Sequence, residues 1–166
     1  EQGIWSAIFE SGKLPDISVV HRFAAHAQLL LDESDGLISD YEFEKAEPLL
    51  RRALVLDPQS LGAYAELGVA LAGLKRDEDA IALYREGITS VPGGELLRYN
   101  LANRCQELGR HEEAIAEYRR CVELKPDWWA AQIQLIQAYA ESGKADASET
   151  ERKRFLAKNP PEDALN

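Results

Sequence analysis

Apolar and small residues recur at helical spacing through the middle of the chain. Leu61, Tyr64, Leu67, Gly68, Leu71 and Leu74 follow three- and four-residue steps, which predicts a helix with one buried face. Ala80, Ile81, Tyr84, Gly87, Ile88 and Val91 form a second stripe of the same kind. Gly73 and the polar run from Lys75 to Asp79 lie between them, about the length of a helix–helix turn. Helix interiors disfavour Gly by roughly 1 kcal/mol relative to Ala, so Gly68 and Gly87 inside the stripes point to two backbones in close approach. Neither helix can bury its stripe alone, so the pair requires neighbours of the same design.

Those neighbours are present at a fixed step of 34 residues. Tyr64, Leu67-Gly68 and Leu71, then Ala80 and Tyr84, then Pro92, are followed one step later by Leu101-Ala102 and Cys105, Ala114 and Tyr118, and Pro126. One step earlier stand Ala46, Leu50 and Pro58, and Pro160 continues the proline series. This pattern resembles the tetratricopeptide repeat, or TPR, family. The resemblance implies an all-α fold, a right-handed superhelix of antiparallel helix pairs, in one domain spanning residues 1–166.

Taken in order, residues 1–15 carry an apolar face of Ile4, Trp5, Ile8 and Phe9, read as the second helix of a truncated repeat or as an N-terminal cap. The repeat 16–60 follows, with a first helix over 16–31 whose stripe is Val20, Phe23, Ala24, Ala27, Leu30 and Leu31. In this frame Phe23-Ala24 take the Leu-Gly place. The repeat is longer than the others, and the surplus is assigned to a polar loop over 32–40 that ends in a capping box, Ser39 to Glu42. A calcium loop fits poorly there, because its first ligand position would fall on Leu31. The second helix, 41–56, contains Pro48, which lacks an amide hydrogen and would bend a helix starting at Tyr41. Repeats 61–94 and 95–128 are regular, and Pro92-Gly93-Gly94 forms a looser joint than its counterparts. In 129–162 the second helix holds Ser148 and Arg152 where the frame asks for a small and a large apolar residue, which predicts a polar C-terminal cap.

Composition narrows the picture. The net charge of −10 argues against a nucleic-acid partner, which needs clustered Lys and Arg. No run of about 18 apolar residues predicts a membrane span. The first residues lack a basic, apolar leader pattern, and the absence of Met suggests a processed product or a piece of something longer. Cys105 and Cys121 fall on core positions of one repeat and are expected as buried thiols, with a disulfide or a metal site as alternatives. His21, His26 and His111 are not paired with a nucleophile in any recognisable motif, and no phosphate loop is present. The chain is therefore expected to be no enzyme, with no cofactor and no metal.

The resemblance implies instead a groove lined by the first helices, in which a peptide or protein segment binds. Mapped repeat by repeat, the groove residues are Arg22 (or His21), then Gly62, Ala65, Glu66, Val69, Ala72 and Gly73, then Leu96, Tyr99, Asn100, Asn103, Gln106 and Glu107, then Ala130, Ile133, Gln134, Gln137, Ala140 and Glu141. Amide side chains both donate and accept, so they can hold an extended backbone without reading its sequence, with Tyr99 and Ile133 as apolar pockets. The carboxylate clamp known for chaperone tails requires cations where this chain has Ala65, Ala130 and Gln134, and only Asn100 matches it. Trp128-Trp129, at a turn between repeats, offers one packing residue and one possible partner anchor. Two further expectations are an arm of a larger enzyme, glycosyltransferase- or oxygenase-like, and self-association into a homo-oligomer through Ile4, Trp5, Ile8 and Phe9.

Overall fold

The computed structural model describes residues 17–158 and residue 160; the apolar face Ile4, Trp5, Ile8 and Phe9 lies outside the described residues. Among them the fold is all-α, with eight helices and no strand. These are α1 (Ile17–Ser39), α2 (Phe43–Leu56), α3 (Leu61–Gly73), α4 (Asp77–Ser90), α5 (Glu95–Glu107), α6 (His111–Leu124), α7 (Trp129–Glu141) and α8 (Ala145–Ala157). The expected single domain divides into two compact units, Glu1–Pro92 and Gly93–Asn166, and the division falls within Pro92-Gly93-Gly94. In the first unit α1 packs on α2 and α3, α2 on α3, and α3 on α4. In the second, α5 packs on α6, α6 on α7, and α7 on α8.

Each hairpin closes through a residue in the left-handed region: Tyr41 at φ 61°, Lys75 at 62°, Gly109 at 73° and Gly143 at 77°. These four stand 34 residues apart, so one turn geometry repeats through both units. Left-handed backbone costs an ordinary side chain about 1 kcal/mol or more, which Gly109 and Gly143 avoid and Tyr41 and Lys75 bear. The following helices compensate electrostatically. Asp77, Glu78 and Asp79 crowd the first turn of α4, and Glu112 and Glu113 that of α6, where helix N-termini favour negative charge.

The turn at Tyr41 corrects the reading of the first repeat. Residues 32–39 are not a loop but the C-terminal part of one 23-residue helix, α1. The surplus lies at the N-terminal end of that helix. Ala27, Leu31 and Ser34 keep helical spacing and are buried, while Asp32, Glu33 and Asp35 point outward on the same helix. Ser34, not Ala24, occupies the place of Gly68; Ala24 is exposed. The expected capping box does not form either. Glu42 makes no side-chain cap and binds Lys45 Nζ at 2.8 Å instead. Pro48 falls inside α2, and the helix passes through it to Leu56.

The core consists of the frame positions. Leu67, Leu101 and Leu135, successive repeats of one position, are 0%, 2% and 2% exposed. Burying each contributes about 2 kcal/mol. Gly68 is explained by its neighbour: a Cβ there would come within 2.2 Å of the Tyr84 ring. At the end of α3, a Cβ on Gly73 would meet the Phe43 ring at 2.3 Å. Both glycines mark places where a ring of a neighbouring helix lies against bare backbone.

Candidate functional site: two polar clefts on the inner helices

Each unit has its own cleft. In the first unit it has a volume of about 570 Å³ and is lined by Gln28, Leu31, Asp32, Asp35, Ser60, Gly62 and Glu66. The first four are the groove positions of α1 once the frame is set by the Tyr41 turn. Arg22, expected in that role, lies on the N-terminal extension of α1 and does not line the cleft. Ser34 is fully buried between the helices and its hydroxyl lies 2.8 Å from both Leu31 O and Glu66 Oε2. Burial pushes the Glu66 carboxyl up; the Ser34 hydroxyl draws it back, and Asp35 and Asp32 add to the rise. Ala65 and Val69 do not line this cleft, and Val69 is exposed beside it on α3.

The second unit has a cleft of about 430 Å³ lined by Asn103, Gln106, Glu107, Tyr118, Gln134, Gln137 and Glu141. It brings together four of the residues expected to grip a segment: Asn103 and Gln106 from α5, and Gln134 and Gln137 from α7. Tyr118, from α6, forms its floor. Its hydroxyl donates to Asn103 Oδ1 at 2.5 Å, which leaves the Asn103 amide hydrogens for the cleft. Burial raises the Tyr118 hydroxyl well above its ordinary pKa, so it remains a donor across the working pH range. Glu141 ties the two inner helices together, accepting from Gln106 Nε2 at 2.6 Å and from Gln137 Nε2 at 2.8 Å.

The other expected residues lie elsewhere. Tyr99 does not offer an open pocket: its ring packs against Tyr118 at 5.8 Å and Trp128 at 4.9 Å between centroids. Leu96 and Ile133 are exposed outside the cleft, and Asn100 is half-buried. Trp129 packs edge-on against Phe155 at 5.8 Å, with Lys158 Nζ over its ring. Both tryptophans are only partly exposed, each committed to an aromatic neighbour in its own unit. Tyr118 shows what the helical pattern missed, since the cleft floor comes from the second helix of a pair.

The side chains lining these clefts offer hydrogen-bond donors, acceptors and carboxylates. Cys105 and Cys121 are buried thiols, and burial pushes the Cys121 thiol up to about 12, so it is held as an unreactive thiol. Among the described residues no group of three or more His, Cys, Asp or Glu is placed to hold a metal ion. No described helix is long and apolar enough to cross a membrane.

Comparison with known proteins points the same way as the geometry. Two family models described as tetratricopeptide repeat match residues 24–95 and 97–127. DnaJ homolog subfamily C member 3 of Bos taurus is 27% identical over 99 residues, covering 60% of this chain and 20% of that protein. The peroxisomal targeting signal receptor of Kluyveromyces lactis is 34% identical over 73 residues, covering 44% of this chain and 13% of the receptor. The chain thus spans about 20% of the length of the first of these relatives. Among solved structures, MamA has a TM-score of 0.68 at 25% identity, covering 80% of this chain and 72% of MamA. Pseudomonas aeruginosa PilF has a TM-score of 0.70 at 21% identity, covering 81% and 62%. YrrB, described as a TPR protein with an unusual peptide-binding site, has a TM-score of 0.62 at 22% identity, covering 81% and 70%.

Proposed function

We infer the function from the premise that this chain belongs to the tetratricopeptide repeat family: it is a non-catalytic scaffold that holds an extended protein segment against its inner helices. The observation that carries this reading is the cleft of the second unit, where Asn103, Gln106, Gln134 and Gln137 converge without a nucleophile, metal group or thiolate. Amides from α5 and α7 can match the donors and acceptors of an extended backbone. The fixed Asn103 amide supports the same reading, since a preset donor loses little freedom on binding. Peroxisomal targeting signal receptor and Hsp70-Hsp90 organizing protein, both relatives, are named for protein partners. An arm of a longer protein is a compatible setting, favoured by the small share of the curated relatives that this chain spans.

Selection from a random-sequence peptide library tests the reading. Peptides enriched on the chain should lose at least about tenfold in affinity for the double variant Asn103→Ala, Gln137→Ala, the size of one or two lost hydrogen bonds. That variant should still melt cooperatively. Full binding to the double variant would contradict the assignment.

A further inference from the structure

The cleft of the second unit is lined by carboxylates and by no cationic side chain. Its lining contains Glu107 and Glu141 and no lysine, arginine or histidine. Glu107 is paired with Arg104 at 2.8 Å. Glu141 receives its hydrogen bonds from two neutral amides, those of Gln106 and Gln137. Several glutamates outside the clefts meet cations: Glu42 with Lys45, Glu47 with Arg51 and Arg76, Glu112 with Lys144, Glu117 with Arg98, and Glu123 with Arg120. Glu141, like Glu66 in the first unit's cleft, meets neutral donors instead, and its donors tie α5 to α7.

A second observation concerns Gln106. Its Oε1 is shielded from water and accepts no hydrogen bond. A donor that reaches that oxygen removes the penalty of leaving it unpaired. The Glu141 carboxylate is also preset. One amide is bound on each oxygen, and each oxygen keeps a further lone pair, the geometry a planar guanidinium fork can meet.

We propose that the partner segment is basic, and that the second unit's cleft seats one of its cationic side chains, an arginine or lysine, on Glu141 with Gln106 as the adjoining acceptor. This rests on the reading of the cleft as a segment-binding site and specifies what that segment carries. The charge of the whole chain, −10, adds long-range attraction for such a segment. The cleft supplies the local selection.

The test uses the full chain and three short fluorescent peptides of equal length, alternating serine with arginine, glutamine or glutamate, read by anisotropy at physiological salt. The arginine peptide should bind more tightly than the glutamine peptide, and the glutamate peptide should not bind. Glu141→Gln should weaken the arginine peptide by about tenfold, as expected for a charge-assisted bond. Glu123→Gln, which removes the same charge outside the cleft, should change it by less than about twofold. Equal binding of the arginine and glutamine peptides, with loss in Asn103→Ala, would overturn the cationic preference and leave the segment-binding reading standing. Equal weakening by Glu141→Gln and Glu123→Gln would mean attraction to the acidic surface as a whole, and would overturn the proposal. Failure of all three peptides at millimolar concentration would count against both readings.

Discussion

Two helices one step apart in the frame show how this chain separates folding from recognition. In α3, Leu67 is buried and Val69 is exposed; in α5, the counterpart Leu101 is buried again and Asn103 is half-buried. The buried member is leucine both times, because it fills the same space between hairpins. The outward member changes from an apolar to a hydrogen-bonding residue, because packing does not constrain it. Along α5 and α7 the outward positions include Asn103, Gln106, Glu107, Gln134, Gln137 and Glu141, whereas α3 offers Gly62, Ala65 and Val69 beside one carboxylate, Glu66. The second unit's cleft therefore takes its polarity from α5 and α7, and the first unit's from Glu66 of α3 together with Asp32 and Asp35 of α1.

The largest expected effect tests the shared half of that comparison. Leu67→Ala and Leu101→Ala should each cost about 2–5 kcal/mol in chemical denaturation, with similar losses in both units. Val69→Ala, two residues further along α3, should stay within about 0.5 kcal/mol of the parent, whereas Asn103→Ala should cost about 1–3 kcal/mol, because it leaves the buried Tyr118 hydroxyl without its acceptor. A loss from Val69→Ala as large as that from Leu67→Ala would mean that the inner face supports the fold and that the separation is false.

A smaller effect separates the units. Gly68 in the first unit corresponds to Ala102 in the second. Glycine to alanine in a helix ordinarily adds up to about 1 kcal/mol. Gly68→Ala should instead destabilise by about 1–3 kcal/mol, because the new methyl meets the buried Tyr84 ring. Ala102→Gly should cost about 1 kcal/mol, the plain helix penalty. If Gly68→Ala stabilises, the close approach in the first unit is not a constraint.

The smallest effect depends on pH. Glu66 has a carboxyl raised in the folded state, so the fold binds its proton more tightly than the unfolded chain does. The resulting stability is fully present below the unfolded carboxylate value of about 4.3 and is lost as pH rises through the higher folded value. At neutral pH Glu66→Gln should therefore melt above the parent, and the gap should close as pH falls toward that value. A gap that is constant with pH would show that the Asp32–Asp35–Glu66 cluster holds no unfavourable charge.

Much of the architecture was legible because the frame repeats it. Buried leucines, small residues and prolines recur together, and any one repeat checks the next. The first repeat departs from its expected form at a point where the 34-residue step decides the register. Asp32-Glu33-Ser34-Asp35 is polar enough to pass for a loop, yet counting back from Ala46 puts Ser34 in the place of Gly68 and Tyr41 in that of Lys75. Once α1 was broken at residue 31, the acidic cleft of the first unit was hidden and Arg22 stood in its place. In the second unit the amides were legible from spacing, since outward helical positions follow from the stripe. The support of Asn103 by Tyr118 and the position of Glu141 between two amides were not, because both depend on which side chains meet across helices.

Titration of an isotope-labelled chain with a library-selected peptide tests the central claim most directly, with the side-chain amide signals of Asn103, Gln106, Gln134 and Gln137 followed by NMR. The account predicts that these signals shift together and saturate with one affinity, while the backbone signals of Leu101 and Leu135 beneath them stay nearly fixed. Unmoved side-chain amides under saturating peptide, or shifts confined to residues outside the cleft, would contradict it.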